Sequence, residues 1–271
     1  GLGDVYKRQT QAKDRIVERP PFLAQSSSSI EIDKIVMSDT VTTVYIKAFY
    51  RPKYWIKIAT GSVLKDNNGI LYPIRKGIGI TLDKEFWMPE SGEAEFQLTF
   101  PPIPQNVTRL DFSEGDFEGA YKIWGIQLDK KSFGKFKLPK DVIVPKADHK
   151  MTLPDPIVKY DKAILKGRIL DYQKGMPDKG SLYYQDVIRE GAQEGKIRIQ
   201  DDGTFYHEMN VFMITPCTIM FPFGTIEYLL APGETTSIVI NLRENARKQS
   251  HLRQAEKPYG KEVYYLSLIH I

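Results

Sequence analysis

Hydrophobic and polar residues alternate with a period of two along most of the chain. Residues 196–200 and 205–211 both place apolar side chains on one parity and polar ones on the other, with Asp-Asp-Gly at 201–203 between them. Asp and Gly tolerate the positive φ of a tight turn, so this pattern predicts a hairpin. Asn-Asn-Gly at 67–69 predicts a second one. With seventeen prolines and twenty glycines, the pattern is typical of an all-β protein with many turns.

The alternating runs fall into two groups. Residues 130–161 lack a sustained period and carry several prolines among lysines, which predicts an extended linker with one short strand at 142–144. A sheet that is hydrophobic on one face must cover that face. We therefore predict two tandem antiparallel β-sandwich (Ig-like) domains, at residues 10–129 and 162–242.

Residues 243–265 have a different composition. Helix-forming residues at 243–257 predict a short C-terminal helical segment, and its thin apolar stripe indicates that it needs a neighbour. We expect this segment to begin a connection to a domain that is missing from the chain.

The two ends of the chain are related through their codons. One permitted codon set for Asp-Val-Tyr-Lys-Arg-Gln at 4–9 has a reverse complement that encodes Leu-Ser-Leu-Ile-His-Ile, the sequence of residues 266–271. The string resembles the end of a transposon-based sequencing adapter. We therefore expect residues 1–9 and 266–271 to be adapter-derived scars on a fragment and exclude them from fold reasoning.

Charge and hydropathy exclude several function classes. The net charge is +4 with both signs interspersed, so no basic block is present that would favour nucleic acid. The sequence contains no run of about 18 apolar residues, so it predicts no transmembrane span. Cys217 is the single cysteine, which rules out an intrachain disulfide or a C-x-x-C redox pair within these residues. Its strand-like surroundings predict a buried, inert thiol.

For most candidate sites, a structural role explains the residues better than a metal-binding or catalytic role does. His207-Glu208 lacks the second histidine of a zinc-protease helix, because Val211 stands at that position, and His149 and His251 lie far away in sequence. We interpret His207 as a core or cross-strand residue. Four carboxylates at 111–118 suggest calcium, but they miss the known loop spacing, so a solvated acidic turn is the preferred interpretation and calcium the alternative.

Three further motifs carry little signal. The glycines at 77 and 79 lack the third glycine of a dinucleotide loop and predict a strand with close backbone approach. The serines at 26–29 predict a polar loop, since no nucleophile elbow surrounds them. Asn106-Val107-Thr108 matches a glycosylation acceptor only formally. We assign no catalytic, cofactor-binding or metal-ligating residue, and a self-contained hydrolase is disfavoured.

The aromatic residues at 49–55, together with Phe86-Trp87, form the most interesting candidate for a binding surface. The first stretch reads Phe-Tyr-Arg-Pro-Lys-Tyr-Trp and places cations beside aromatic rings. Exposed aromatics next to cations favour sugars, peptides or partner proteins. Aromatic residues in strands also often belong to the core, and the sequence leaves both interpretations open.

Several of these stretches carry a resemblance to a known family. IEIDKI at 30–35, DKEFWMPE at 83–90, FQLTFPP at 96–102 and DFSEGD at 111–116 resemble the N-terminal region of TlpA-type thiol:disulfide oxidoreductases of the bacterial cell envelope. LKG at 165–167 and LAPGETT at 230–236 are similar to the β-sandwich that precedes their catalytic domain.

The resemblance implies a function for the parent protein rather than for this chain. In that family a following thioredoxin-like domain carries a C-x-x-C pair, whose low-pKa thiolate attacks a disulfide. No position here matches that motif. We expect a non-catalytic fragment in the cell envelope, whose partners are the missing thioredoxin-like domain and an envelope protein or peptide. The alternative hypothesis is a surface adhesion or glycan- or peptide-binding module that uses the aromatic residues.

Overall fold

The computed structural model describes residues 14–129, 133, 136–146, 158–185 and 191–266. The chain divides into two compact units, which are described separately: one comprises the described residues of Gly1–Pro21 and Ser28–Phe133, the other those of Phe22–Ser27 and Gly134–Ile271. Strands dominate both units. Among the described residues, no helix has the length and apolar character needed to cross a membrane.

The strands up to residue 129 are short and mostly antiparallel. They are β1 (Arg15–Glu18), β2 (Ala24–Gln25), β3 (Ile30–Met37), β4 (Thr42–Phe49), β5 (Trp55–Ile56), β6 (Val63–Asp66), β7 (Leu71–Pro73), β8 (Lys76–Ile78), β9 (Phe86–Trp87), β10 (Glu93–Phe100), β11 (Arg109–Ser113) and β12 (Lys122–Gln127). β2 lies in the segment that belongs to the second unit.

The first unit contains two main sheets and a two-stranded ribbon. One sheet has the order β1-β3-β4-β10-β8, the other includes β12-β11-β6-β7, and β5 pairs with β9. Alternation explains the faces: β4 buries Val44, Ile46 and Ala48, while Tyr45 and Lys47 point the other way. The alternating residues of β10, β11 and β12 are likewise buried. The core of this unit is thus built from period-two strands, as the sequence predicts.

The second unit contains two four-stranded sheets. Its elements are β13 (Asp161–Leu170), β14 (Lys179–Gln185), β15 (Ala192–Arg198), β16 (Thr204–Val211), β17 (Thr215–Phe221), β18 (Gly224–Leu230), β19 (Thr235–Asn241), β20 (Val263–Tyr265) and the helix α1 (Leu242–Gln249). The sheet orders are β16-β13-β19-β20 and β15-β14-β17-β18. The prediction of an all-β, sandwich-type fold with a short C-terminal helix is confirmed; among the described strands, β13 and β19 pair in parallel.

The two predicted hairpins have different outcomes. β6 and β7 pair around the turn at 67–69, with Gly69 at φ 84°, which confirms that prediction. The turn at 201–203 forms as well, but its flanking strands separate after the single bridge Ile199↔Phe205. β15 pairs with β14 while β16 pairs with β13, so this turn carries the chain from one sheet to the other and the predicted hairpin is wrong.

The short strand predicted at 142–144 and the extent of the predicted helix also differ from the structure. No strand forms at 142–144; Val142 is instead buried in a small apolar cluster with Leu170 and Val239. The helix ends at Gln249 instead of continuing to residue 257, and turns follow it. His149 lies outside the described residues.

The helix finds its neighbours within the second unit. Asn241 caps its first turn by accepting a hydrogen bond from the amide of Glu244. Glu244 forms an ion pair of 2.8 Å with Arg247, and both side chains are buried. The Gln249 side chain donates to the carbonyl of Phe223 at 3.1 Å. The hydrogen bond to Phe223 therefore ties α1 to another part of the second unit.

Candidate functional site

The two aromatic stretches singled out in the sequence meet in the β5–β9 ribbon. Trp55 lies directly opposite Trp87, and Ile56 lies opposite Phe86. The pairing continues for one more residue, because the amide of Met88 donates to the carbonyl of Tyr54 at 2.8 Å. Residues directly opposite each other project from the same face of a strand pair. The two tryptophans therefore share one face of the ribbon.

Burial distinguishes the inner face of the ribbon from its outer face. Ile56 is 2% exposed, and the Phe86 ring packs against buried Phe96 with the ring centroids 6.2 Å apart. Trp55 and Trp87 are 43% and 60% exposed. The ribbon thus anchors its inner face in the core of the first unit and presents two adjacent indole rings on its outer face. Of the two interpretations left open by the sequence, the exposed one applies to both tryptophans.

A tight turn of the chain adds a third exposed ring beside the ribbon. Tyr54 is 54% exposed and stands edge-on to Tyr50, with the ring centroids 6.3 Å apart. The guanidinium carbon of Arg51 lies 5.7 Å from the centre of the Tyr54 ring, within cation–π range. The turn is held at Lys53, whose φ of 63° is left-handed. Tyr54 pairs with Met88 and follows the parity of Ile56, so it lies at the end of the ribbon and not on the face of the two indoles. We call Trp55 and Trp87 the aromatic platform.

Several charged residues close in sequence to the ribbon have partners of their own. Lys53 forms an exposed ion pair with Glu90 at 3.0 Å. Asp83 accepts hydrogen bonds from the hydroxyl of Thr60 at 2.6 Å and from its amide at 3.1 Å. These hydrogen bonds, followed by the charge of Lys57, lower the pKa of Asp83 below its ordinary value. Groups of both signs that can form hydrogen bonds thus flank the ribbon in sequence.

The carboxylates of the acidic cluster at 111–118 do not converge on one point. Asp111 accepts a hydrogen bond from the amide of Gly125 at 2.7 Å, and Asp116 pairs with Lys122 at 2.9 Å. Glu114 is buried and accepts from the amides of Ala59 at 2.9 Å and Tyr121 at 3.0 Å. Burial raises the pKa of Glu114 in spite of these hydrogen bonds.

The geometry therefore offers no calcium site at this segment. Within the described part of the chain, no group of three or more His, Cys, Asp or Glu side chains is placed to hold a metal ion. The interpretation as a wholly solvated turn is also wrong at Glu114, which the sequence alone did not mark as buried.

His207 and Cys217 occupy structural positions in the second unit. His207 lies in β16 with its ring against Gly195, and burial lowers its pKa. This agrees with the cross-strand interpretation of His207. Cys217 is 2% exposed, and burial raises its pKa to about 12. The prediction of a buried thiol is confirmed, and a thiol with this pKa is not a nucleophile near neutral pH.

The remaining motifs keep their structural interpretations. A Cβ at Gly77 would lie 2.4 Å from the carbonyl oxygen of Ile80, which confirms the predicted close approach of the backbone. Ser26 is exposed in the connection between β2 and β3, and Asn106 is exposed in a turn. His251 is exposed in the turns that follow α1. None of these residues joins the aromatic platform.

Comparison with known proteins adds little to this geometry. No protein-family model matches the chain, and a search of curated proteins gives no match. Among solved structures, pullulanase type I from Bacillus subtilis str. 168 complexed with maltose aligns at 9% identity and a TM-score of 0.26, over 74% of this chain and 24% of the pullulanase. Pullulanase from Anoxybacillus sp. LM18-11 complexed with maltotriose aligns at 11% identity and a TM-score of 0.27, over 70% and 24%. The Bacillus anthracis TIE protein aligns at 9% identity and a TM-score of 0.21, over 84% and 40%.

These alignments establish neither a family nor a shared fold. The chain spans about a quarter of the length of the pullulanases that it aligns with. What can be said of function rests on the chemistry of the chain itself.

Proposed function

We propose that this chain is a non-catalytic binding module whose aromatic platform holds a carbohydrate. The observation that carries the proposal is the outward cross-strand pair of Trp55 and Trp87. Two adjacent exposed indoles on an anchored ribbon are costly to leave in water, and exposed apolar patches of this kind mark binding surfaces. A cross-strand pair could also serve only to stabilise the ribbon, and the experiment below separates these two roles.

A carbohydrate suits the platform better than an ionic ligand does. The C–H face of a sugar ring can cover an indole ring, while its hydroxyl groups require hydrogen-bond donors and acceptors at the rim. Lys53, Glu90 and Asp83 supply such groups, and they are already paired with neighbours of complementary charge or hydrogen bonding. A strongly charged ligand would have to compete with these existing pairs.

The test is titration with a panel of neutral tetrasaccharides (cellotetraose, xylotetraose, maltotetraose and chitotetraose) followed by tryptophan fluorescence. The chain has three tryptophans. The third, Trp124, lies in β12, so the Trp124→Phe variant confines the signal to the platform. Sugar stacking on one indole face covers roughly 40–80 Å², worth about 1–2 kcal/mol. Trp87→Ala should therefore weaken binding roughly tenfold.

Phe117→Ala is the matched control, because Phe117 is an exposed aromatic residue of the same unit, at 50%. It should bind as the parent does. If Trp87→Ala binds a tetrasaccharide as tightly as the parent, or if none of the sugars changes the fluorescence, the platform is not a carbohydrate site. Binding of a peptide in the absence of any sugar response would also reject the proposal.

The resemblance to TlpA-type proteins supports a second proposal about the parent protein. We infer that a thioredoxin-like domain accompanies this region in the bacterial cell envelope and that this chain recruits its substrates. Cys217 is the single cysteine and is buried, so any redox pair would have to come from outside these residues. Genomic sequence that continues into a C-x-x-C motif would support the proposal. Catalytic reduction of insulin by the chain as given would reject it.

A further inference from the structure

A depression lies on the outer face of the β1-β3-β4-β10-β8 sheet. Its volume is about 320 Å³, and it is lined by Asp33, Tyr45, Lys47, Ile78, Glu95 and Gln97, among others. None of these residues belongs to the aromatic platform. The size lies at the lower end of the range for small-molecule sites, which suits a ligand of one or two rings.

Strand register explains why these side chains meet. Tyr45 of β4 lies opposite Lys34 of β3 on one side and Gln97 of β10 on the other. Gln97 in turn lies opposite Ile78 of β8. Directly opposite residues share one face of a sheet, so a cation, a phenol, an amide and an aliphatic side chain form a row across four strands. The row is an outcome of pairing between strands that are distant in sequence.

The depression arises where the sheet is incomplete. β8 is only three residues long, and the chain leaves it at Gly79, whose φ is 83°. Gly79 has no side chain to fill the space over β10, where a Cβ would lie 3.5 Å from the carbonyl oxygen of Glu95. On the opposite side, a bulge between Ile32 and Lys34 adds Asp33 to the rim. A continuous, regular sheet would present a flat surface at this position.

The charges of the depression are paired with one another. Lys47 and Glu95 lie opposite each other at 3.2 Å, and Asp33 lies 3.7 Å from Arg19. The ammonium group of Lys34 stands 4.2 Å from the centre of the Tyr45 ring. An ionic ligand would have to break one of these pairs to gain its own. A neutral polyhydroxyl ligand can instead donate to the carboxylates and accept from the ammonium groups and the amide while the pairs stay intact.

We propose that this depression is a second carbohydrate site, separate from the aromatic platform, that holds one or two neutral sugar rings. Gln97 and the ion pair of Lys47 and Glu95 bind the hydroxyl groups, and Tyr45 and the exposed part of Ile78 cover the apolar edge of the ring. The site goes beyond the platform and does not depend on it. If both sites bind the same polysaccharide chain, the unit gains avidity without any new contact.

The experiment uses ¹H–¹⁵N NMR of the full chain in a Trp55→Ala, Trp87→Ala background, in which the platform is disabled. The probes are cellobiose, maltose and xylobiose, with the disaccharide of galacturonic acid as a charged comparison. We expect a neutral disaccharide to shift the amides of Tyr45, Ile78 and Gln97, and the shifts to persist from about 50 mM to about 500 mM salt, because a neutral ligand is not screened.

Two variants sharpen the result. Gln97→Ala should weaken binding of the neutral disaccharide roughly tenfold, since the substitution removes both a donor and an acceptor. Thr43→Ala, at the next outward position of β4, should leave binding unchanged. The inference is overturned if no neutral disaccharide shifts these amides at about 20 mM. It is also overturned if only the charged disaccharide does so, or if the two variants behave alike. Because the platform is absent from this background, failure here leaves the platform proposal intact, and the converse holds as well.

Discussion

The Asp66 side chain organises the β6–β7 hairpin, and its removal should destabilise the first unit measurably. One carboxylate oxygen accepts hydrogen bonds from the amides of Asn68 at 2.8 Å and Ile70 at 2.9 Å. The other accepts from the hydroxyl of buried Tyr72 at 3.0 Å. Asp66 itself is 4% exposed. Asp66→Ala would remove three charge-assisted hydrogen bonds at once.

The expected loss of unfolding free energy follows from the hydrogen bond that each donor loses. The amides of Asn68 and Ile70 belong to exposed residues, so water replaces part of their lost hydrogen bonds, at a cost of about 1 kcal/mol each. Tyr72 is 8% exposed, and its hydroxyl would lose its buried acceptor, which costs about 1 kcal/mol more. We expect Asp66→Ala to lower the free energy of unfolding by about 3 kcal/mol. For a unit of about 110 residues this corresponds to roughly 10 °C in Tm.

The effect should depend on pH in a defined direction. Burial raises the pKa of Asp66, but the hydrogen bonds from Ile70, Asn68 and Tyr72 outweigh burial, so the pKa lies below its ordinary value of 3.8. A carboxyl group whose pKa is lowered by folding contributes stability above its unfolded pKa and loses that contribution as the pH falls through its folded pKa. The stability difference between the parent and Asp66→Asn should therefore be constant at neutral pH and shrink below about pH 3.8.

The assay is urea unfolding of the full chain, followed by circular dichroism, for Asp66→Ala, Asp66→Asn and Tyr72→Phe. Tyr72→Phe removes one hydrogen bond only and should cost about 1 kcal/mol. Asp66→Asn keeps an acceptor for the two amides and should fall between the other two variants. A loss below about 1 kcal/mol for Asp66→Ala, or equal losses for all three variants, would refute the view that this carboxylate holds the hairpin.

Three further outcomes are expected. Gly77→Ala should destabilise the first unit by about 1–3 kcal/mol in thermal unfolding, because its Cβ would meet the carbonyl oxygen of Ile80; an unchanged Tm would contradict this. Cys217 should not react with DTNB near neutral pH in the native chain and should react fully in guanidinium, since burial raises its pKa to about 12; reaction in the folded state would contradict its burial. Glu244→Ala should cost about 3–5 kcal/mol in urea unfolding, because it leaves the guanidinium of Arg247 buried without its carboxylate; a neutral effect would show that the carbonyl acceptors of Arg247 suffice.

The sequence predicts strands and turns well because both are local. Alternation marks β16, and the residues at 201–203 and 67–69 mark turns, with Gly203 at φ 82°. It does not predict which strands pair, because pairing depends on side chains far apart in the chain. β16 leaves β15 and joins β13, where the Phe205 ring lies so close to Gly167 that a Cβ there would overlap it. A glycine 38 positions upstream cannot be recognised as the partner of this phenylalanine from a local pattern.

The sequence predicts the aromatic platform only in part. Composition identifies the aromatic residues at 49–55 and Phe86-Trp87 as candidates, and Arg51 and Lys53 share the parity of Trp55. β5 and β9 are only two residues long, too short for alternation to decide whether Trp55 or Ile56 faces the core. The structure decides this through the packing of Phe86 on Phe96. The depression around Tyr45 gave no local signal at all, because its row of residues forms only when four strands align.

The buried carboxylates explain why counting acidic residues misleads in this chain. A metal site needs several oxygens that converge on one point, whereas Asp66, Glu114 and Glu244 each turn to amide donors of irregular backbone nearby. Such amides are left unpaired wherever a hairpin, bulge or helix end interrupts regular hydrogen bonding, and a carboxylate satisfies two of them at once. Glu114, one of the four carboxylates that suggested calcium, is therefore committed to holding loops in place. At the aromatic platform and in the depression, the groups that a ligand would meet include exposed indoles, a phenol and an amide, and we expect this set to favour neutral, hydroxyl-rich ligands.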